Sequence, residues 1–465
     1  MRRDPIVEGF ETLARRAGDA PLVVGPKRAA TRADVLEAAR ALEREILDLA
    51  PARSTYALMA CANGAGFLAA LIGTRRAGLV PVLMDHAAPE AERARVVAAL
   101  DIPISVTCAD AFPDHVASFR LERFPQRRGF APDGAGYVKL TSGSTGAPCG
   151  VAIAPEALAS DDEQLADSMG LGPHDRFLAP IPWSHSYGLS SLVLPSLRRG
   201  SMLILPHDPG PWAPLDAARS LGATVFPTVP VYLQSVVALA DAPGWPTTLA
   251  TVISAGAPLL PETAAGFRER FGRSVHVFYG ATECGGISYD REGGAALRGT
   301  VGTPVRGVCV SLDETVVVRS AACGLRHVPR GSDRLADGVF RTADVAAWTD
   351  GGELSLRGRC DALINAGGKK VQPREVEGVL RAMPGVRDAV VLGVKANGGE
   401  REIVRAVVAC DPGALTYAAV TSWCRERLAA HKVPRSVLLL GEIPRTSRGK
   451  VDHEALARVG TPEDR

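Results

Sequence analysis

Along this chain, apolar β-branched runs alternate with Ala-, Leu- and Arg-rich segments of helical period, and that alternation restricts the fold to a few architectures. ATVFPTVP, ATVISAGAP and SVHVFYGATE read as strands, and PVYLQSVVALA and LPETAAGFRERFG read as the helices between them. Strand-then-helix order predicts an α/β fold: layered, largely parallel sheets covered by helices. Ligands of such sheets bind where the strands end. The Gly-, Ser- and Thr-rich stretches of this sequence fall at those ends.

The uncharged run from Ser54 to Thr74 is long enough to span a bilayer. Asn63, Gly64, Gly66 and Gly73 interrupt it, so it reads as a strand (TYALMA), a loop (CANG) and a buried helix (AGFLAALIGTRRAG) rather than a membrane span. After Gly351 the texture changes. GELSLRGR reads as a hairpin strand, REVEGVLRAMPG as a helix, DAVVLGV and REIVRAVVAC as strands, TSWCRERLAAHKVP as a helix and SVLLLGEIP as a final strand. The expected organisation is a large N-terminal domain, 1–358, and a small α+β domain, 359–465.

With 465 residues, 46% of them apolar, the chain can bury a large core without staples. Its net charge of +2, from 53 basic and 51 acidic residues, gives no footprint for nucleic acid or an anionic membrane. Nine scattered cysteines without a CxxC pair argue against a zinc site or a disulfide framework. They point to a reducing, cytoplasmic setting. MRRDPIVEGF has acids at Asp4 and Glu8 and no apolar core, so it does not read as a signal peptide.

The segment richest in chemistry is YVKLTSGSTGAPCGV, Tyr137 to Val151. A strand runs into Thr141, Ser142, Gly143, Ser144, Thr145 and Gly146, where glycines let backbone N–H groups turn toward an anion and hydroxyls add donors. It is neither GxxxxGK[ST] nor GxGxxG. Alone it would read as a flexible loop. It is accompanied, in order, by SAGAP (Ser254 to Pro258), YGATE (Tyr279 to Glu283), RTADVAAW with Asp344, GRCD with Arg359 and Asp361, GGKKVQPREVE, and PRTSRGKVD with Lys450. In these motifs the chain resembles the adenylate-forming superfamily of acyl-CoA synthetases, aryl-acid ligases and adenylation domains, from about Ser54 to its C-terminus.

The resemblance implies activation of a carboxylic acid by ATP to an acyl-AMP, and transfer of the acyl group to the thiol of CoA or of a phosphopantetheine. It implies that Ser142–Gly146 hold the β- and γ-phosphates and that Thr282 donates to the α-phosphate. Glu283 would bind Mg²⁺, a hard cation that prefers oxygen. Tyr279 would stack on adenine beside Gly256, Ala257 and Pro258, with Gly280 and Ala281 continuing that wall. Asp344 would accept from the ribose hydroxyls, supported by Arg359. Lys450 would bridge the acid's carboxylate and the α-phosphate oxygen. Asp361 corresponds to the hinge of a mobile C-terminal domain. Gly367, Gly368 and Lys370 would then face the incoming thiol, although a basic loop of this kind also suits a plain solvated turn.

Two departures matter. The family usually carries PKG after the phosphate loop, and this chain has Pro148-Cys149-Gly150, so one cation near the β- and γ-phosphates is missing. PWSHSYGL places His185 where related ligases carry a gating histidine, and Ser186 where amino-acid-activating relatives carry an Asp for the α-ammonium. An unpaired ammonium in a pocket is costly, so the expected acid lacks an α-amine. Tyr187, Phe226 and Val229 suggest an apolar wall that suits a fatty or an aromatic acid. The acceptor is CoA or a carrier protein in trans, and the molecule a monomer or homodimer. A degenerate binding protein that has lost catalysis, beginning at Cys149, is the alternative of a different class.

Overall fold

A computed structural model of the chain describes residues 4–49, 51–112, 118–141, 148–206, 210–239, 241, 243–360, 364–366, 369–395, 402–446, 451–452 and 455–456. It divides into two compact units. The first comprises Met1–Ser311, Val317–Arg341 and Thr349–Leu354; the second comprises Leu312–Val316, Thr342–Trp348 and Ser355–Arg465.

Two large sheets build the first unit. The nine-stranded sheet carries a central parallel group in which Arg176–Leu178, Val225–Thr228, Thr251–Ser254 and Val275–Ala281 lie side by side. The seven-stranded sheet is centred on parallel Tyr56–Cys61, Val80–Leu83, Ile104–Cys108 and Tyr137–Thr141. Antiparallel strands flank both groups, so the sheets are mixed at their edges and parallel inside, as the α/β alternation predicts. The uncharged run resolves into strand Tyr56–Cys61 and helix Ala65–Arg76. All residues from Ala65 to Thr74 in that helix are buried. Among the described residues no helix is long and apolar enough to cross a membrane.

The strand that leads into the Gly/Ser loop is held by a buried polar knot. Asp4 caps helix Pro5–Arg16 by accepting from the Ile6 and Val7 amides at 3.0 and 3.4 Å. Its other oxygen accepts from Arg75 Nε at 2.8 Å and from the Tyr137 hydroxyl at 3.2 Å. A buried carboxylate with four donors ties two helices to the first residue of strand Tyr137–Thr141, and removing one partner would strand the rest.

In the second unit, Asp388–Lys395 and Glu402–Ala409 form a long antiparallel pair, and Ser436–Leu440 adds in parallel. Helix Pro373–Arg381 presents Val376 and Leu380 to the core. The next helix runs Tyr417–Arg425, starting a turn earlier and ending earlier than the apolar pattern predicts. Thr416 accounts for the start, since its hydroxyl caps the helix by accepting from Ala419 N at 3.2 Å.

Candidate active site

Parallel strands end on one edge, so residues distant in sequence meet there. The chain leaves the nine-stranded sheet after Leu178, Thr228, Ser254 and Ala281. Strand Arg176–Leu178 is also where the winding reverses. Its successor Met202–Ile204 pairs on one side and Val225–Thr228 on the other. A crevice opens at such a switch point. The segment Pro182–Tyr187 follows the first of these strands and Val229 follows the second.

His185 caps a helical run that continues through Ser186–Gly188, a π-helical stretch at Leu189–Val193 and Leu194–Arg199. Wide turns of this kind are common at functional sites. His185 Nε2 lies 3.5 Å from Asp85 Oδ2, at the end of strand Val80–Leu83. The Tyr187 hydroxyl donates to the Ile253 carbonyl at 3.0 Å, and its ring lies 5.9 Å from that of Phe278. Val229 is half-buried. Phe226 is fully buried in the core and packs edge-on against Tyr232 with ring centroids 5.3 Å apart.

Gly256, Ala257 and Pro258 stand exposed beyond Ser254. Tyr279 is half-buried and Gly280 exposed near the end of strand Val275–Ala281. Thr282 and Glu283 occupy the turn that joins it to antiparallel Gly285–Tyr289. The carboxylate of Glu283 is oriented by a residue that no motif announces. His327 Nε2 lies 3.2 Å from Glu283 Oε1, and Ser332 Oγ lies 2.8 Å from His327 Nδ1. A neutral ring that donates from Nε2 to the carboxylate leaves Nδ1 to accept from Ser332. His327 reaches this place because its strand pairs with Cys149–Ile153, His327 opposite Val151.

Thr141 and Cys149 face each other across the base of the Gly/Ser loop, where Thr141 Oγ1 donates to the Cys149 carbonyl at 3.2 Å. Ser142, Gly143, Ser144, Thr145 and Gly146 lie outside the described residues, as do Asp361, Gly367, Gly368 and Lys450. In the second unit Asp344 and Arg359 stand on neighbouring strands, Arg359 Nη1 3.5 Å from Asp344 Oδ1. Lys370 lies in a short strand opposite Asn365.

A family model described as AMP-binding enzyme matches residues 10–317, and its C-terminal domain model matches 375–450. The chain belongs to the AMP-binding enzyme family. It is 29% identical to the isonitrile lipopeptide synthase of Streptomyces coeruleorubidus over 98% of this chain, and it spans only 33% of that protein's length. It is 30% identical to the sulfoacetate–CoA ligase of Cupriavidus necator, over 76% of this chain and 73% of the ligase. The o-succinylbenzoate coenzyme A synthetase of Bacillus subtilis, solved in complex with AMP, superposes with a TM-score of 0.81 at 20% identity, over 95% of this chain and 96% of the other. That likeness concerns the fold.

The turn Thr282–Glu283 brings a carboxylate to this sheet edge, and among the described residues no group of three His, Cys, Asp or Glu side chains could cage a metal. This suits Mg²⁺, which commonly takes one or two carboxylates and leaves its other positions to phosphate and water. The sequence motifs named Glu283 and His185, but not the groups that pack beside them. His327 and Asp85 carry no local signature, and Asp161, which accepts from Ser190 Oγ at 2.6 Å and Gly286 N at 3.0 Å, reads in sequence as an ordinary helix acid.

Proposed function

We propose that the protein activates a carboxylic acid lacking an α-amine, fatty or aromatic, with ATP, and transfers the acyl group to the thiol of CoA. In the first step a carboxylate oxygen attacks the α-phosphorus, the bond to the β-phosphate breaks, and pyrophosphate leaves. In the second, the thiolate attacks the acyl carbonyl and AMP departs with the electron pair.

The observation that carries this reading is the convergence on one sheet edge of the acid segment His185–Tyr187 and the turn Thr282–Glu283. Thr282 would donate to the α-phosphate. Glu283, held by His327, would hold Mg²⁺, which offsets the phosphate charge. Tyr279 and Gly256–Pro258 would line the adenine side, Gly280 and Ala281 continuing that wall. Asp344 would accept from the ribose, with Arg359 beside it. Lys450 would supply the cation between carboxylate and α-phosphate, and Asp361 the hinge. Donors fixed in advance at a site of growing charge are a large source of rate. CoA is favoured as acceptor because the Cupriavidus necator relative described above is named a CoA ligase. The reading is tested by acid-dependent exchange of labelled pyrophosphate into ATP over a panel of fatty, aryl and amino acids, followed by CoA or a pantetheinylated carrier protein. Exchange with no acid would leave a binding protein; exchange only with amino acids would overturn the acid class.

A second expectation concerns Cys149. It is half-exposed and stands opposite Thr141 at the base of the phosphate loop, at the position of the family's usual lysine. Cys149→Lys should lower the Michaelis constant for ATP and leave acid preference alone, because a contact made equally in ground and transition states changes binding more than turnover. Steady-state kinetics with ATP varied would show it. A large rise in turnover at a constant Michaelis constant would contradict it and mean that the natural protein lacks a transition-state cation.

A further inference from the structure

We propose that Lys139 is a specificity-determining residue of the acid site, donating to an oxygen acceptor that the substrate carries beside the carboxylate being activated: a hydroxyl, a keto group or a second carboxylate. The inference rests on the acid-activating function proposed above and narrows its substrate.

Lys139 sits in the middle of strand Tyr137–Thr141 and is only 2% exposed. Val138 and Leu140 point into an apolar cluster with Leu58, Val80 and Val82. Side chains alternate across a strand, so Lys139 emerges on the opposite face, the face of Tyr137 and Thr141. Its ammonium donates to Ser186 Oγ at 3.3 Å. Ser186 lies between His185 and Tyr187, in the segment that opens at the switch point.

An ammonium has three N–H donors, and among the described residues this one has a single hydrogen-bond partner, a neutral hydroxyl. Nearby acids balance its charge without filling its donors. Burial lowers the Lys139 pKa, while Asp161, Cys284 and Glu283 act to raise it. Asp161 Oδ2 accepts from Ser190 Oγ at 2.6 Å and Oδ1 from Gly286 N at 3.0 Å, and among the described residues neither oxygen accepts from Lys139. Glu283 Oε1 faces His327. A buried donor left unfilled costs about 1–3 kcal/mol, and an apolar side chain of similar length would fill the same space without that cost. The arrangement is therefore one that a ligand completes.

Position selects the ligand. Thr141 starts the phosphate loop only two residues along the same strand, about 7 Å away, and Ser186 belongs to the acid segment. An acceptor reaching Lys139 thus belongs to the end of the acid nearest the nucleotide, on the carbons next to the reacting carboxylate and not on a distal tail. A plain alkyl or aryl acid would leave the ammonium unfilled. Sites built to hydrogen-bond a substrate group can reject analogues lacking it by as much as ~10⁴–10⁵.

The test is pyrophosphate exchange with matched acids: butanoate against 2-hydroxybutanoate, 2-oxobutanoate and succinate, and benzoate against salicylate and phthalate. The natural protein should favour at least one acceptor-bearing acid over its plain partner by about 100-fold or more in kcat/KM. Lys139→Met should collapse that ratio to within a few-fold, chiefly by lowering kcat/KM for the substituted acid. Because Lys139→Met leaves Asp161 uncompensated, Lys139→Met/Asp161→Asn is measured beside it, and both are checked for cooperative unfolding. A ratio that survives in either folded variant would overturn the proposal. So would an equal loss on plain and substituted acids, which would make Lys139 a support of the fold or of the common carboxylate. A natural protein that uses plain acids equally well defeats this inference and leaves the acid-activating function standing. Exchange with none of these acids but with longer plain fatty or larger plain aryl acids defeats this inference alone, and exchange with no carboxylic acid of either panel defeats both.

Discussion

Lys450→Ala should reduce acid-dependent pyrophosphate exchange by ~10²–10³-fold, the usual consequence of losing one fixed charge or donor at a transition state. As oxygen attacks the α-phosphorus, negative charge accumulates on the phosphate oxygens and on the departing pyrophosphate. Glu283 can act there only through a metal, and Thr282 offers a neutral donor. The frame PRTSRGK holds the lysine that the family resemblance assigns to this place. Loss of its cation falls on turnover as well as on kcat/KM, because the interaction is made in the transition state. Conversion of supplied acyl-AMP to thioester should persist, since the carbonyl is already activated. Parallel measurement of the two half-reactions decides it. Undiminished exchange would remove Lys450 from the site, and equal loss of both half-reactions would indicate damage to the fold.

Gly285→Ala should destabilise the first unit by about 2–5 kcal/mol, from left-handed strain of ~1–2 kcal/mol and overpacking of ~1–3 kcal/mol. Gly285 begins the strand after the Thr282–Glu283 turn, with φ at +70°. A Cβ there would lie 2.2 Å from Asp161 Oδ1 and 2.5 Å from its Cγ. Asp161 cannot easily yield, because it is buried and holds Ser190 and the Gly286 amide. Either the carboxylate moves and leaves those donors unpaired, or the hairpin shifts and carries Glu283 out of place. Exchange should therefore fall together with stability. Gly170→Ala is the control, since Gly170 has φ of +67° with nothing within 4 Å of the added Cβ; it bears the backbone strain alone. Denaturant midpoints of the two variants and the parent would separate strain from clash. Equal midpoints for Gly285→Ala and Gly170→Ala would show that Asp161 accommodates the methyl group.

Much of this molecule was legible in one dimension. The alternation of strand and helix predicted parallel layers because period and turn chemistry are local properties. The run from Ser54 resolved into strand, loop and helix for the same reason. The YGATE turn was readable because it is a short continuous backbone device. Helix Tyr417–Arg425 was placed a turn late, because the apolar pattern outweighed the polar cap at Thr416.

What only the tertiary structure decided is how polar groups compensate one another inside the first unit. His327 meets Glu283 across 44 residues, Lys139 meets Ser186 across 47, and Asp161 meets Gly286 across 125. In the sequence each of these is a histidine, a lysine or an aspartate with the solvated surface as its ordinary fate. Burial inverts that expectation, since a polar side chain removed from water must find its partners in whatever strands and helices pack beside it. Those neighbours are set by sheet order. The pairing of Arg326–Val328 with Cys149–Ile153 brings the histidine to the metal-binding carboxylate proposed here, and the reversal at Arg176–Leu178 brings His185–Tyr187, the proposed acid segment, to the edge proposed to hold the nucleotide. Local residue patterns encode the strands, whereas their order in the sheet, and with it the partner of each buried charge, comes from the packing of the whole unit.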